Sequence, residues 1–259
     1  MSAAAAIPAD VRLMNSAATA LFAIGLGVLV AAAAWWALRH PLFAVSAITV
    51  EGDVSHNSAA TLRANVAPRL AGNFFTVNLK AARDAFQAAP WVRQAVVRRQ
   101  FPNRLRVQLQ EHQAVALWGD HESRMVNSFG EVFEANAGDV ESDDLPRLAG
   151  PQGQSREVLA MYQALVPLLE PLDLAVARLA LTTRGSWNLE LDTGAAIELG
   201  RGTREEVTVR AQRFAQTLTQ VAARYGRTPE ALLAADLRHA DGYALRLRGV
   251  ATTAEVPKK

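Results

Sequence analysis

The chain has 259 residues, of which 50% are hydrophobic, 20% charged and 7% aromatic, with a formal net charge of +2 and no cysteine. So apolar a composition excludes wholesale disorder, and roughly 150 residues per domain allows one large domain or two small ones. Lack of cysteine removes disulfide scaffolds, thiolate metal sites, iron–sulfur clusters and cysteine nucleophiles, although it leaves the compartment open, and the small charge excess argues against a nucleic-acid-binding surface.

Residues 1–16 read as a short tail and residues 17–38 as a transmembrane helix. No charge falls between Leu13 and Leu38, while Arg12 and Arg39 bracket the run. A helix of about 22 residues spans roughly 33 Å, enough for a hydrocarbon core of about 30 Å. Trp35 and Trp36 stand at one end, where indole rings favour the headgroup layer. A cleaved signal peptide is the rival reading, because AAAA offers small residues to a peptidase. Against it, the apolar stretch exceeds the roughly 7–15 residues of a signal core. Charge on the two flanks is nearly balanced, so the positive-inside rule does not orient the helix. Ala23, Gly27 and Ala31 form a small-residue row of the kind that lines helix contacts in membranes, or that alanine-rich helices produce by chance.

Residues 43–112 form a first soluble module. FAVSAITVEG alternates as a strand until Gly52–Asp53. Ser58 is placed to cap SAATLRANVAPRL, with Leu62, Val66 and Leu70 at helical spacing. LKAARDAFQAA presents Leu79, Ala82, Phe86 and Ala89 on one face before Pro90. QAVVRRQ and RLRVQLQEH are strands around the turn FPNR. The order is strand, helix, helix, strand, strand. Arg98, Arg99, Arg104 and Arg106 read as a solvated strand face, since no aromatic ladder is interleaved with them. Trp91 reads as a core residue at the helix-to-strand turn.

Residues 113–250 form a second module, followed by a polar tail, 251–259. AVALWG, SRMVNSFGEVFEA and RLALTTRGSWNLELDTGAAIELG are strand-like, and Trp187, Leu189 and Leu191 alternate with Asn188, Glu190 and Asp192. A mainly antiparallel sheet with one covered face fits them. Two helices interrupt the strands. SREVLAMYQALVPLLEPL has Ser155 as its expected cap and a stripe of Val158, Met161, Leu165 and Leu168. TREEVTVRAQRFAQTLTQVAARYG opens with Thr203 and Glu206, the spacing of a capping box, and ends towards Gly226. YALRLRG alternates Leu245 and Leu247 with Arg246 and Arg248 as the last strand. At a sheet edge such a strand would leave unpaired N–H and C=O groups for a partner segment.

No catalytic, cofactor or metal constellation is expected. The five histidines are scattered and none pairs with glutamate at zinc-protease spacing. Asp53, Ser55 and His56 are neighbours in one loop and cannot converge as a triad. Asp143–Asp144 reads as a solvated pair in a polar loop.

The strand–helix–helix–strand–strand order directly after an anchor resembles a POTRA domain. The run APWVRQAVVRRQFPNRLRVQLQEHQAVALW, with Pro90, Trp91, the strand Val96–Gln100, Phe101–Pro102, Glu111 and Trp118, is similar to the corresponding stretch of the bacterial FtsQ/DivIB family. SWNLELDTGAAIELGRG and DLRHADGYALRLRG resemble that family's Ser-Trp strand pair and its final Asp-Leu-Arg strand pair. The resemblance implies an α+β protein: one N-terminal transmembrane helix, a POTRA domain (β-α-α-β-β), then the mainly antiparallel β domain with helices. It further implies a non-enzymatic divisome component without cofactors, with its N-terminus cytoplasmic, its bulk in the periplasm and its site of action at the septum. The POTRA domain and anchor would meet other division proteins, and the second domain would bind periplasmic segments of FtsB and FtsL. Carried over residue by residue, partner-binding positions fall on Arg184, Arg238, His239, Gly242, Tyr243, Ala244, Leu245, Arg246 and Leu247. His239 stands where the family often has an aromatic residue, and Gly185 where it has a second basic one. The competing readings are a POTRA-type envelope assembly factor and, as an enzyme, an envelope hydrolase.

Overall fold

The computed structural model describes residues 9–38, 40, 43–52, 54–56, 58, 62, 64, 66, 68, 72–139, 145–239 and 242–250. Much of the helix expected after Ser58 lies outside the described residues, as do Asp53, Asp143–Asp144 and the tail 251–259. The chain divides into two compact units, residues 1–111 and 112–259.

The first unit opens with α1, Ala9–Leu38. It starts eight residues before the apolar core, where Ala9, Arg12, Leu13 and Met14 are good helix formers and propagation adds one bond per residue fixed. Ser16 Oγ donates back to the Arg12 carbonyl at 2.9 Å and Thr19 Oγ1 to the Asn15 carbonyl at 2.7 Å, so both hydroxyls are satisfied within the helix. From Asp10 to Trp36 the helix is long and apolar enough to cross a membrane, alone in this among the described residues, as fits a single-pass membrane protein.

The strands that follow are β1 (Ala47–Gly52), β2 (Val92–Gln100) and β3 (Arg104–Glu111), with α2 at Leu79–Gln87. Sheet order is β1-β3-β2, with β1 parallel and β2 antiparallel to β3. In β3 the residues Leu105, Val107, Leu109 and Glu111 are buried, while Arg104, Arg106, Gln108 and Gln110 are exposed. That period of two leaves one face of the sheet open and packs the other on α2 and on Leu62 and Val66. Asn78 caps α2 by accepting from the backbone N–H groups of Lys80 and Ala81 at 3.0 and 3.1 Å.

One residue of this unit differs from the sequence expectation. Arg99 is not part of a solvated row. Its guanidinium donates to the carbonyls of Phe74, Phe75 and Val77 at 2.6, 3.2 and 2.9 Å and fastens the loop ahead of α2. Arg106 pairs with Glu51 at 2.9 Å. Trp91 is 2% exposed and stacks on the His56 ring at 4.0 Å, while Glu111 Oε2 accepts from His56 N and lies 3.1 Å from its Nδ1. His56 therefore serves packing in this unit.

The second unit carries β4 (Ala114–Trp118), β5 (Arg124–Asn127), β6 (Val132–Glu134), β7 (Arg147–Ala149), α3 (Ser155–Leu169), β8 (Val176–Leu181), β9 (Ser186–Leu191), β10 (Ala196–Arg201), α4 (Arg204–Ala223), β11 (Leu232–Asp236) and β12 (Ala244–Leu247). Nine strands form one sheet in the order β12-β11-β10-β9-β8-β7-β4-β5-β6. Most pairs are antiparallel, while β4–β7, β7–β8 and β10–β11 are parallel, the last because α4 carries the chain back over the sheet. Trp187, Leu189 and Leu191 face the core while Asn188 and Glu190 are exposed.

Two details of α3 correct the expectation. Ser155 is the first helical residue and not the cap. Its Oγ donates to the buried Gly130 carbonyl at 2.6 Å, so it locks the β5–β6 turn. The innermost stripe ends in Leu169, 3% exposed, with Leu168 half-buried. In α4 the capping box is complete: Thr203 Oγ1 accepts from Glu206 N at 3.3 Å, and Glu206 Oε2 accepts from Thr203 N at 2.9 Å.

Candidate partner-binding edge

The sheet of the second unit ends on β12, the last strand among the described residues and outermost in space. Among the described residues it pairs with β11 alone, with Asp236 opposite Ala244, Ala235 opposite Leu245, Ala234 opposite Arg246 and Leu232 opposite Leu247. Arg248 N donates inward to the Ala231 carbonyl at 2.8 Å. Because backbone groups alternate sides along a strand, Arg246 and Ala244 also face β11, whereas the N–H and C=O of Leu245 and the N–H of Leu247 face outward. The Leu247 carbonyl accepts from Val250 N at 3.3 Å, which closes that corner.

Side chains fix this strand from within. Leu247 is 3% exposed and Leu245 packs half-buried on the same core. Tyr243 is turned inward: its ring meets Phe214 of α4 edge-on at 5.1 Å, and its hydroxyl lies 2.7 Å from Thr217 Oγ1. Ala244 and Arg246 point to the open face. There, Ala196, Ala234 and Ala244 floor a shallow groove of about 360 Å³ rimmed by Glu198, Asp236 and Arg246.

Arg238 is engaged within the chain. Its Nε and one terminal nitrogen donate to the two Asp236 oxygens at 2.8 and 2.6 Å, and the other lies 3.0 Å from Glu198 Oε2. Asp236 Oδ1 also accepts from Arg238 N at 3.0 Å. The Arg238 side-chain hydrogen bonds, then its backbone N–H, bring the Asp236 carboxyl down to about 2, and the same pairing raises the guanidinium. The clamp follows the end of β11 and sets the path of the chain into His239, which is exposed. An acid and a base two apart at a strand end are the sequence signal for this pair; Glu198, from another strand, has none.

Arg184 sits exposed in the turn between β8 and β9, and among the described residues it has no acidic partner. That turn lies at the same end of the sheet as the ends of β10 and β11 and the start of β12. Three to four strand spacings separate it from β12, roughly 15–20 Å. The structure thus gathers Arg238, His239 and residues 242–247 at one corner and sets Arg184 apart from them. Among the described residues no group of three or more metal-ligating side chains converges.

The family model for the cell division protein FtsQ/DivIB C-terminal region matches residues 116–238, and that for the FtsQ-type POTRA domain matches residues 43–112. Among curated relatives, the cell division protein FtsQ of Burkholderia pseudomallei is 40% identical over 242 residues, covering 93% of this chain and 94% of that protein. FtsQ of Thiomonas arsenitoxydans is 40% identical over 248 residues, with 94% and 90% covered. FtsQ of Bordetella pertussis is 37% identical over 256 residues, with 92% of each covered. Two domain matches in the order that the two units require, together with identity along nearly the whole chain, place it: the chain belongs to the FtsQ/DivIB family of cell-division proteins.

Proposed function

We propose that the protein is a non-enzymatic scaffold of the division machinery, held in the inner membrane by α1, with its two soluble units in the periplasm and its place at the septum. It binds FtsB and FtsL through β12 and links early to late division proteins, the POTRA unit meeting further partners. The observation that carries this reading is the open edge of β12, where Leu245 offers a donor and an acceptor and Leu247 a donor. A partner segment adds there as a further strand, so affinity comes from backbone bonds. Arg246 on the open face, with Arg184 at the sheet end, orients acidic partner side chains and raises the association rate. Arg238, already paired with Asp236 and Glu198, serves by fixing the path of the chain into His239 and β12.

The deciding variant is Leu245→Pro. It deletes an outward N–H and no ladder bond, since proline removes a donor only at its own position. FtsB and FtsL are co-purified with the full-length protein and with this variant. Loss of the pair, with the variant folded and membrane-inserted, supports strand addition; undiminished capture overturns it. Ending the chain after Arg238 would be a poorer test, because it strips Tyr243 and Leu247 from the core.

A further inference from the structure

The first unit places a set of aromatic side chains beside the end of α1. Trp35 and Trp36 are 60% and 66% exposed, and the Trp36 ring meets His40 at 5.2 Å. Phe43 follows Leu38 by five residues, so it lies within about 17 Å of the helix end even with the chain fully extended. The Asn73 side-chain amide donates to the Leu38 carbonyl, and Phe74 N to the Phe43 carbonyl at 2.8 Å. Ser46 N donates to the Asn103 carbonyl at 2.9 Å, and Ser46 Oγ lies 2.9 Å from Asn103 Oδ1. The loop at 73–77 and the β2–β3 turn therefore share the end of the sheet at which the chain leaves α1.

At that end the usual direction of burial is reversed. Phe101, at the tip of the β2–β3 turn, is 78% exposed, and Phe75 is 43% exposed. The two flank Phe74, which meets both rings edge-on, and Phe43 meets Phe75 at 5.0 Å. Arg99 fastens the loop that presents Phe75, so the ring is held outward by three hydrogen bonds. Arg98 and Arg104 stand exposed close behind the tip and, among the described residues, have no acidic partner. Aromatic rings with cations behind them, next to a membrane-spanning helix, match the chemistry of the headgroup layer, where rings enter the acyl boundary and arginines meet phosphate.

We propose that this end of the POTRA unit is a membrane-docking surface: Phe101 and Phe75 enter the interface of the bilayer that α1 crosses, and Arg98 and Arg104 contact anionic headgroups. Docking restrains the unit about its short connection to α1 and fixes its tilt on the membrane. The proposal rests on the reading of α1 as an anchor.

The cysteine-free sequence makes the test direct. Gln100→Cys and Gln94→Cys place one fluorescent label each on the same strand and on the same face, about 20 Å apart. Full-length labelled protein is reconstituted into vesicles of mixed phosphatidylethanolamine and phosphatidylglycerol, with and without lipids carrying a nitroxide quencher at the acyl boundary. Co-flotation with vesicles reports insertion of α1, and its absence overturns the anchor reading and this proposal together. With insertion established, quenching at position 100 is expected to exceed that at position 94 at least threefold. Adding Phe101→Ser, a change at an exposed site, is expected to remove at least half of it. Equal quenching at both positions, or quenching at 100 that survives Phe101→Ser, overturns the proposal by showing that the tether alone brings the unit near the membrane.

Discussion

The hydroxyl of Tyr243 lies 2.7 Å from Oγ1 of Thr217, which ties the residue just before β12 to the middle of α4. Thr217 Oγ1 donates to the Arg213 carbonyl at 2.8 Å, so the tyrosine is the donor between the two hydroxyls. Tyr243→Phe keeps the ring against Phe214 and removes this bond. The variant is expected to lose about 1 kcal/mol of stability in the second unit. Denaturant unfolding of the full-length protein, followed through amide exchange in α4 and β12, checks it.

Arg238 and Asp236 provide a pH signature. A carboxyl depressed from 3.8 to about 2 in the fold contributes stability that is fully present above its unfolded value and lost as pH falls through about 2. From pH 7 down to about 4 the clamp is therefore insensitive to acid, and its contribution declines between there and about 2. Arg238→Ala is expected to return the Asp236 titration towards 3.8 and to flatten the acid branch of the stability curve. Carboxyl titration by NMR on both proteins decides it.

Gly200 adjoins the same clamp. Its φ is +82°, and a Cβ there would lie 2.8 Å from Arg238 Cγ. The residue sits where the β9–β10 register shifts. Gly200→Ala is expected to cost roughly 1–2 kcal/mol through the left-handed backbone alone, and by displacing Arg238 to raise the Asp236 titration as well. Thermal unfolding and carboxyl NMR read the two effects separately.

Glu111 should prove structural. Its carboxylate is buried and accepts from His56 N at 2.9 Å beneath the stacked Trp91. Glu111→Ala leaves that N–H without this acceptor and opens space in the packing. A loss of about 1–3 kcal/mol confined to the first unit is expected. Amide exchange resolved by unit tests it, since equal loss of protection in both units would contradict the assignment.

What could be read from the chain followed from pattern length. Trp187, Leu189 and Leu191 repeat often enough to declare a face, and Thr203 with Glu206 states a helix start in four residues. Three residues, Arg147–Ala149, are too few to show alternation, so β7 and the two parallel pairings it makes left no trace. Arg99 looked like its solvated neighbours because its acceptors are backbone carbonyls more than twenty residues away. At the candidate edge, alternation of Leu245 and Leu247 gave the strand, but not the inward turn of Tyr243, which depends on Phe214 and Thr217 in a distant helix. The Arg238 pair was half visible, through Asp236, and half hidden, through Glu198.

That β12 is the outer rim of the sheet makes the exposed edge depend on its docking. With residues 244–247 undocked, the rim would be β11. Its outward groups are those of Ala234 and Asp236, beside an unfilled place in the core where Leu247 belongs. A sheet with β12 undocked therefore presents a different row of donors, differently charged and over a defective interior. The row of backbone groups on this rim is thus set by a single four-residue strand.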